Sequence, residues 1–115
     1  MSKIEQTKIP ISGGGETTPE KWVVLKIGED VYKVFGSWAG GYLGSDSWKL
    51  NSGIKKVAQD ENFYYFYGYS GSCYKCGKKQ YGVACSFAQG VLDSIVEKSP
   101  TPVEILSENF DFENL

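Results

Sequence analysis

Residues 63–69, FYYFYGY, are the most informative stretch of this 115-residue chain. Successive side chains of a strand point to opposite faces of its sheet, so the odd-numbered aromatic residues would share one face and the even-numbered ones the other. One face can line a core. The other would present large rings to a partner, a ligand or another part of the protein, because extensive exposed apolar surface is uncommon without a use. The run therefore predicts a strand of a small, aromatic-rich binding domain.

Two further strands are predicted before this run. Residues 21–27, KWVVLKI, and residues 31–35, VYKVF, have strand composition, and Gly28-Glu29-Asp30 between them is typical of a turn. Together they predict a β-hairpin, in which Val23 and Leu25 share one face.

Residues 48–57 predict a third strand, with Trp48, Leu50 and Ile54 in phase. Gly53 within it indicates either a bulge or a close approach of two backbones. The aromatic run is then the fourth strand, and a turn, a short fifth strand and a polar loop follow it.

Residues 83–97 change to helical periodicity. At about 100° per residue, the apolar side chains fall within one stripe. The stripe contains Ala84, Phe87, Ala88, Val91, Leu92 and Ile95. Lys98 and Pro100 are typical of a helix C-terminus. We therefore predict an α+β fold, in which an antiparallel sheet of four to five strands is covered by one C-terminal helix.

The length fits one domain with one core, predicted over residues 21–100. Residues 1–20 are predicted to form a flexible N-terminal arm, because Ser12-Gly-Gly-Gly15 is typical of a hinge. An alternative is that this arm supplies a strand that pairs with a partner.

Residues 101–115 are predicted to be an acidic C-terminal tail. Val103–Leu106 could add an edge strand before the chain frays, or the tail could dock on a partner with Phe110 and Phe112 as anchors.

Charge is unevenly distributed along the chain. Residues 45–85 carry six lysines and three acidic residues, whereas residues 86–115 carry one lysine and six acidic residues. The chain contains no arginine, and its pI is near 5.1, so binding of duplex nucleic acid is not expected. Single-stranded nucleic acid or a nucleotide, either of which can stack on aromatic rings, remains an alternative ligand.

The sequence predicts neither a membrane segment nor an export signal. No apolar run approaches the roughly 20 residues that span a bilayer, and the N-terminus lacks the apolar stretch of a signal peptide. We therefore expect a cytoplasmic protein without membrane partners.

Catalytic residues are not predicted. The chain contains no histidine, so a Ser-His or Cys-His nucleophile cannot be built. Asp60 and Glu61 lie in a predicted turn, where solvated carboxylates are expected rather than a tuned acid and base. We expect no enzyme activity and no cofactor.

The three cysteines are expected to be free thiols in a reducing compartment. Cys73-Tyr-Lys-Cys76-Gly77 nevertheless has the spacing of a zinc knuckle. Structural zinc needs four ligands, and only Cys85 remains, so a site would require an acidic residue or a second subunit.

The strongest candidate site is composite. It combines the glycine-rich loop between Trp38 and Trp48 with the turn after the aromatic run, and nearby lysines could neutralise an anion. The candidate residues are Trp38, Tyr42, Trp48, Tyr65, Tyr67, Tyr69, Ser70, Ser72, Lys75 and Lys78. The alternative is that these rings only form the core and rim of a small sheet.

Residues 37–54, SWAGGYLGSDSWKLNSGI, and residues 66–76, FYGYSGSCYKC, resemble segments of small uncharacterised bacteriophage proteins. The resemblance implies an accessory or counter-defence factor acting in the host cytoplasm. Such a factor would inhibit a host protein or sequester a nucleotide signal.

Our first hypothesis is therefore a non-enzymatic, phage-type accessory protein that binds and inhibits a host protein. The alternative is a small-molecule binder that sequesters a nucleotide-type signal through aromatic and glycine-rich loops. A weaker alternative is a zinc-stabilised interaction module shared between chains. An oligomer is compatible with all three hypotheses.

Overall fold

The computed structural model describes residues 16–40 and 45–115, in which eight strands form two four-stranded sheets. The strands are β1 (Glu16–Thr17), β2 (Lys21–Ile27), β3 (Val31–Trp38), β4 (Ser47–Leu50), β5 (Ile54–Gln59), β6 (Phe63–Gly68), β7 (Cys73–Gly77) and β8 (Val103–Ile105). The helix α1 (Ser86–Lys98) and a C-terminal 3₁₀ turn (Phe112–Asn114) complete the described elements.

Sheet A has the strand order β1-β7-β6-β5, and sheet B has the order β4-β3-β2-β8. Neighbouring strands are antiparallel except for β1 and β7, which are parallel. The α+β class is confirmed, but the prediction of a single sheet is wrong. Of the arm expected over residues 1–20, residues 1–15 lie outside the described residues, and Glu16–Thr17 form β1.

The second sheet arises because the predicted strand over residues 48–57 breaks at a corner. At this corner, two hydrogen bonds to Asn51 take the place of ladder bonds between strands. The Asn51 N–H donates to the Val34 carbonyl (3.0 Å), and the Asn51 Oδ1 accepts from the Val34 N–H (2.9 Å). Gly53 has φ +132°, and a Cβ at this position would lie 3.0 Å from the Tyr69 ring. The close neighbour at Gly53 is thus a side chain rather than a second backbone, and the β5–β6 ladder shifts register just after it, between Ile54 and Lys56. Such bends let one strand pass from one packed sheet to another.

The hairpin of β2 and β3 is confirmed, and both faces of β2 are buried. Trp22 and Val24 belong to the core cluster between the sheets, whereas Val23 and Leu25 pack with Leu92 of α1. The sequence of a strand that is buried on both faces is a continuous apolar run, and residues 22–25 form such a run. The molecule therefore has three layers, with sheet B between α1 and sheet A.

The helix covers sheet B as predicted, although its buried apolar stripe is narrower than the stripe predicted from the sequence. Ala88 and Leu92 are buried against sheet B, but Phe87 is 51% exposed. The helix begins at Ser86 rather than at residue 83, because the backbone of Cys85 is extended (φ −157°, ψ 165°). Just before it, the N–H of Ala84 donates to the Ser37 hydroxyl (2.9 Å).

The aromatic run forms β6 and divides between two faces as its alternation predicts. Phe66 is fully buried between the sheets, and Tyr64 packs against the same cluster. The rings of Phe63, Tyr65 and Tyr67 point to the outer face of sheet A, whereas Tyr69 lies in the turn beyond β6. On the outer face, Tyr65 is only 9% exposed, so its ring presents little surface.

The C-terminal segment is part of the packed structure. The edge strand predicted over Val103–Leu106 is present as β8, which pairs with β2 and places Ile105 opposite Leu25. Phe112 is only 1% exposed, and its ring lies 5.5 Å from that of Trp22. The hypothesis that Phe112 anchors an external partner is therefore wrong: its ring belongs to the core.

Truncation of Phe112 should lower the free energy of unfolding strongly. We expect Phe112→Ala to cost about 3–5 kcal/mol, because it leaves a cavity among core rings. Urea unfolding measures the change, and Phe87→Ala is the matched control because that ring is half-exposed. Equal stability of the two variants would contradict the buried position of Phe112.

Removal of the Asn51 amide should destabilise the corner. Asn51→Ala leaves the buried Val34 N–H without its acceptor, which we expect to cost about 1–3 kcal/mol. The control is Asn62→Ala, at an exposed position. If both variants unfold at the same urea concentration, the corner does not depend on this side chain.

Candidate functional site

A shallow cleft of about 480 Å³ lies beside β4, at the edge of sheet B. We call it the edge cleft. Thr17, Trp38, Ser47, Trp48 and Lys49 line it. Two of the predicted site residues, both tryptophans, therefore meet at one place. Tyr42, the third aromatic candidate of this loop, lies outside the described residues.

Both indoles of the edge cleft are held by contacts within the protein. The Trp38 Nε1–H donates to the Thr18 carbonyl (3.2 Å). The Trp48 ring stacks on Phe35, with centroids 5.7 Å apart and planes inclined by 16°. Trp48 remains 38% exposed, so this fixed ring still has surface available for contact.

The loop that follows Trp38 is held at its start by two carboxylates. The Ala39 N–H donates to Glu20 Oε1 (3.0 Å), and the Gly40 N–H donates to Asp46 Oδ1 (2.9 Å). Carboxylates that accept from backbone N–H groups satisfy donors that the sheet does not use. The wall of the edge cleft is thus ordered on the Trp38 side.

A second group of predicted residues meets on the outer face of sheet A. Tyr65 lies opposite Lys75, and Tyr67 lies opposite Cys73. The Tyr65 hydroxyl donates to Asp60 Oδ2 (2.7 Å). This bond lowers the pKa of Asp60. The pKa of Tyr65 is raised, mainly by burial and secondly by the same bond.

A third group lies in the turn between β6 and β7. Tyr69 is 70% exposed, and its N–H donates to the Gly53 carbonyl (3.2 Å). The hydroxyls of Ser52, Ser70 and Ser72 form a chain with two oxygen–oxygen distances of 3.3 Å. Tyr69, Ser70 and Ser72 therefore adjoin the corner at Gly53.

Lys78 lies at the other end of the β6–β7 hairpin from these serines. Its ammonium donates to Gln59 Oε1 and lies 5.0 Å from the centroid of the Tyr64 ring. The described candidates thus occupy an edge cleft, an outer face, a turn and this isolated position, rather than one composite site.

The two thiols of the zinc-knuckle motif point to opposite faces of β7. Cys73 lies opposite Tyr67, and Cys76 lies opposite Tyr64. They cannot bind the same ion in this strand, so the zinc-knuckle hypothesis is wrong for this pair. Burial raises the pKa of Cys73 to about 11 and also raises that of Cys76. In the described part of the chain, no group of three or more His, Cys, Asp or Glu could hold a metal ion.

Cys85, the third thiol, is separate from that pair. Its Sγ lies 3.7 Å from the Trp38 carbonyl, to which it can donate, and it precedes the first residue of α1. Its contact supports the strand that carries Trp38.

Sequence reasoning missed Thr17 and Ser47 as cleft residues, and it placed Lys49 only among the lysines near the candidate loops. Thr17 reaches the cleft because β1 pairs in parallel with β7, with Thr17 opposite Tyr74. A two-residue strand carries no periodicity that could reveal this pairing. Ser47 and Lys49 directly flank Trp48 in the sequence, and this closeness is the signal that could have found both.

No protein-family model, curated protein or solved structure matches this chain. Among the residues that the structure describes, no helix is long and apolar enough to cross a membrane.

The Tyr65–Asp60 hydrogen bond should make stability depend on pH in the acidic range. Because the folded pKa of Asp60 is lowered, its contribution is present above the unfolded value of about 3.9 and is lost as the pH falls through the folded value. We expect Tyr65→Phe to reduce the difference in unfolding free energy between about pH 6 and about pH 3.

The matched control for this prediction is Tyr64→Phe, which removes a hydroxyl from the neighbouring strand position. Urea titrations at both pH values measure the difference. An unchanged pH dependence in Tyr65→Phe would show that the bond to Asp60 contributes nothing to stability.

Proposed function

We propose that this chain is a non-catalytic binding protein that recognises an extended segment of another protein at β4. The observation that supports the proposal best is the edge cleft, where two tryptophans meet and Trp48 is 38% exposed. Tryptophan is enriched among the few residues that dominate the binding energy of protein interfaces.

The anchors of the edge cleft are organised before a partner arrives. The hydrogen bond of Trp38 to Thr18 and the stacking of Trp48 on Phe35 restrict both indoles. Ordering a mobile side chain on binding costs about 0.5–1.5 kcal/mol, and restrained rings avoid much of this cost. The contacts therefore favour affinity for a partner of complementary shape.

The position of β4 supports an extended partner. In the described part of sheet B, β4 has a strand neighbour only on the β3 side. An extended peptide can add a strand to such an edge, so that main-chain hydrogen bonds give affinity and the cleft selects a side chain. Lys49 beside the cleft favours an acidic residue in the partner.

The properties of the nucleophilic groups support a non-catalytic role. A thiolate, not a thiol, is the reactive form of cysteine. The pKa of Cys73 is raised to about 11 and that of Cys76 is also raised, both first by burial, so both thiols are protonated near neutral pH. The chain also has no histidine to act as their base.

The resemblance of residues 37–54 and 66–76 to small bacteriophage proteins supports a host protein as the partner. Residues 37–54 contain both tryptophans of the edge cleft, so the resembling segment and the proposed interface coincide. Occupation of the partner's segment would inhibit it. The proposed role is accordingly that of an accessory or counter-defence inhibitor.

A photo-crosslinking amino acid at position 49 tests the proposed interface. The full chain, produced in the host with this substitution, should crosslink a host protein through one extended segment, identified by mass spectrometry. The matched control carries the same amino acid at position 87, an exposed site on α1 outside the cleft.

Binding of that purified partner should then depend on the indoles. We expect Trp48→Ala to raise the dissociation constant about 30-fold or more, and Phe87→Ala to leave it unchanged. Calorimetric titration measures the affinity, and circular dichroism confirms that each variant is folded. Equal affinity of wild type and Trp48→Ala would refute the interface, and substrate turnover by the pure chain would refute the non-catalytic role.

A further inference from the structure

A second cavity, of about 460 Å³, lies along β5, on the side of the molecule where the start of β3 meets the C-terminal turn. We call it the β5 groove. The residues on which its chemistry depends are Asp30, Tyr32, Ile54, Lys55, Tyr69 and Glu113. It shares no lining residue with the edge cleft.

The groove has an apolar floor and a charged rim. Tyr32, Ile54 and Val57 are partly buried and pack against the core between the sheets, so the floor is fixed by the fold. Lys55 and Glu113 on the rim are exposed. Small-molecule sites combine such an apolar floor with a few polar groups, at volumes of about 300–1,000 Å³.

Tyr69 supplies a flat surface at the mouth of the groove. Its ring is 70% exposed, yet one edge rests against Gly53, where a Cβ would lie only 3.0 Å from the ring. The Tyr69 N–H also donates to the Gly53 carbonyl (3.2 Å). The ring is therefore restrained on one side and open on the other, which suits the stacking of a planar group.

Donors for an anion adjoin this ring. Lys55 follows Gly53 by two residues in β5 and lines the groove. Ser52 and Ser70 are both exposed, and the Ser52 hydroxyl accepts from the Ser70 N–H (3.1 Å), which ties the corner to the turn that carries Tyr69. An ammonium and hydroxyls beside a ring are the groups that bind phosphate next to a stacked base.

A second lysine and two carboxylates complete the rim. The second lysine, Lys56, is exposed, and its ammonium lies 5.7 Å from the centroid of the Tyr67 ring. Asp30 and Glu113 line the same groove. An ionised carboxylate accepts hydrogen bonds but has no proton to donate. The two carboxylates would repel a ligand that carried only phosphate. They would accept from the hydroxyls of a ribose or from the amino group of a base.

We infer that the β5 groove binds a nucleoside monophosphate or a cyclic nucleotide. Tyr69 stacks on the base, Lys55 and the neighbouring serine hydroxyls bind the phosphate, and Asp30 with Glu113 binds the sugar hydroxyls or the base amino group. This site is separate from the edge cleft and does not depend on the function proposed for it.

Calorimetric titration of the full chain with linear and cyclic purine and pyrimidine monophosphates tests this inference. We expect at least one nucleotide to bind, and Tyr69→Ala to weaken it about tenfold or more, since the stacking of one base contributes about 1–3 kcal/mol. Lys55→Ala should also weaken binding, and the affinity should fall as salt is raised. The nucleoside and inorganic phosphate alone should each bind more weakly than the nucleotide.

Two matched controls locate the effect. Lys79→Ala removes an exposed lysine outside the groove, and Phe87→Ala removes a half-exposed ring on α1 that lines neither the groove nor the edge cleft; both should bind the nucleotide like wild type. Thermal unfolding confirms that each variant is folded. The inference is overturned if no nucleotide of the panel binds at millimolar concentration, or if Tyr69→Ala and Lys55→Ala both bind like wild type.

Discussion

The packing of the two sheets depends on the indole of Trp22. This side chain projects from β2 toward sheet A, and its Nε1–H donates to the Gly77 carbonyl at the end of β7 (2.7 Å). Its ring lies 5.5 Å from Phe66 of sheet A, 4.7 Å from Tyr81 and 5.5 Å from Phe112. One residue therefore joins sheet B, sheet A, the segment before α1 and the C-terminal turn, through ring pairs that each add about 0.5–1.5 kcal/mol beyond the buried area.

The corner at Asn51 determines where binding surfaces can form once the sheets are packed. Because the chain bends there, β4 becomes an edge of sheet B, and β5 becomes an edge of sheet A. The edge cleft lies along the first of these strands, and the β5 groove lies along the second. The position of both surfaces thus depends on a three-residue connection that is held by the Asn51 side chain and by Gly53.

The sequence predicted the local elements well and their assembly poorly. The hairpin of β2 and β3, the helix and the alternation of β6 all follow from periodicity within a few residues. The single sheet was wrong because Trp48, Leu50 and Ile54 are in phase even though a corner separates the last from the first two. Of the candidate site, the closeness of Trp38 and Trp48 could be predicted from their short separation in sequence. The separation of Lys78 from the serines follows only once β6 and β7 are known to form a hairpin whose turn holds the serines.

The sequence alone determined the α+β class, the alternation of β6 and the lack of a histidine base, because each depends on residue type and on spacing within one element. Only the tertiary structure decided that Phe112 is a core residue, that Cys73 and Cys76 face apart, and that Tyr69 and Lys55 share a groove. Those facts depend on contacts between segments distant in sequence. Such contacts are selected by the burial of apolar surface over the whole chain, which no local pattern encodes.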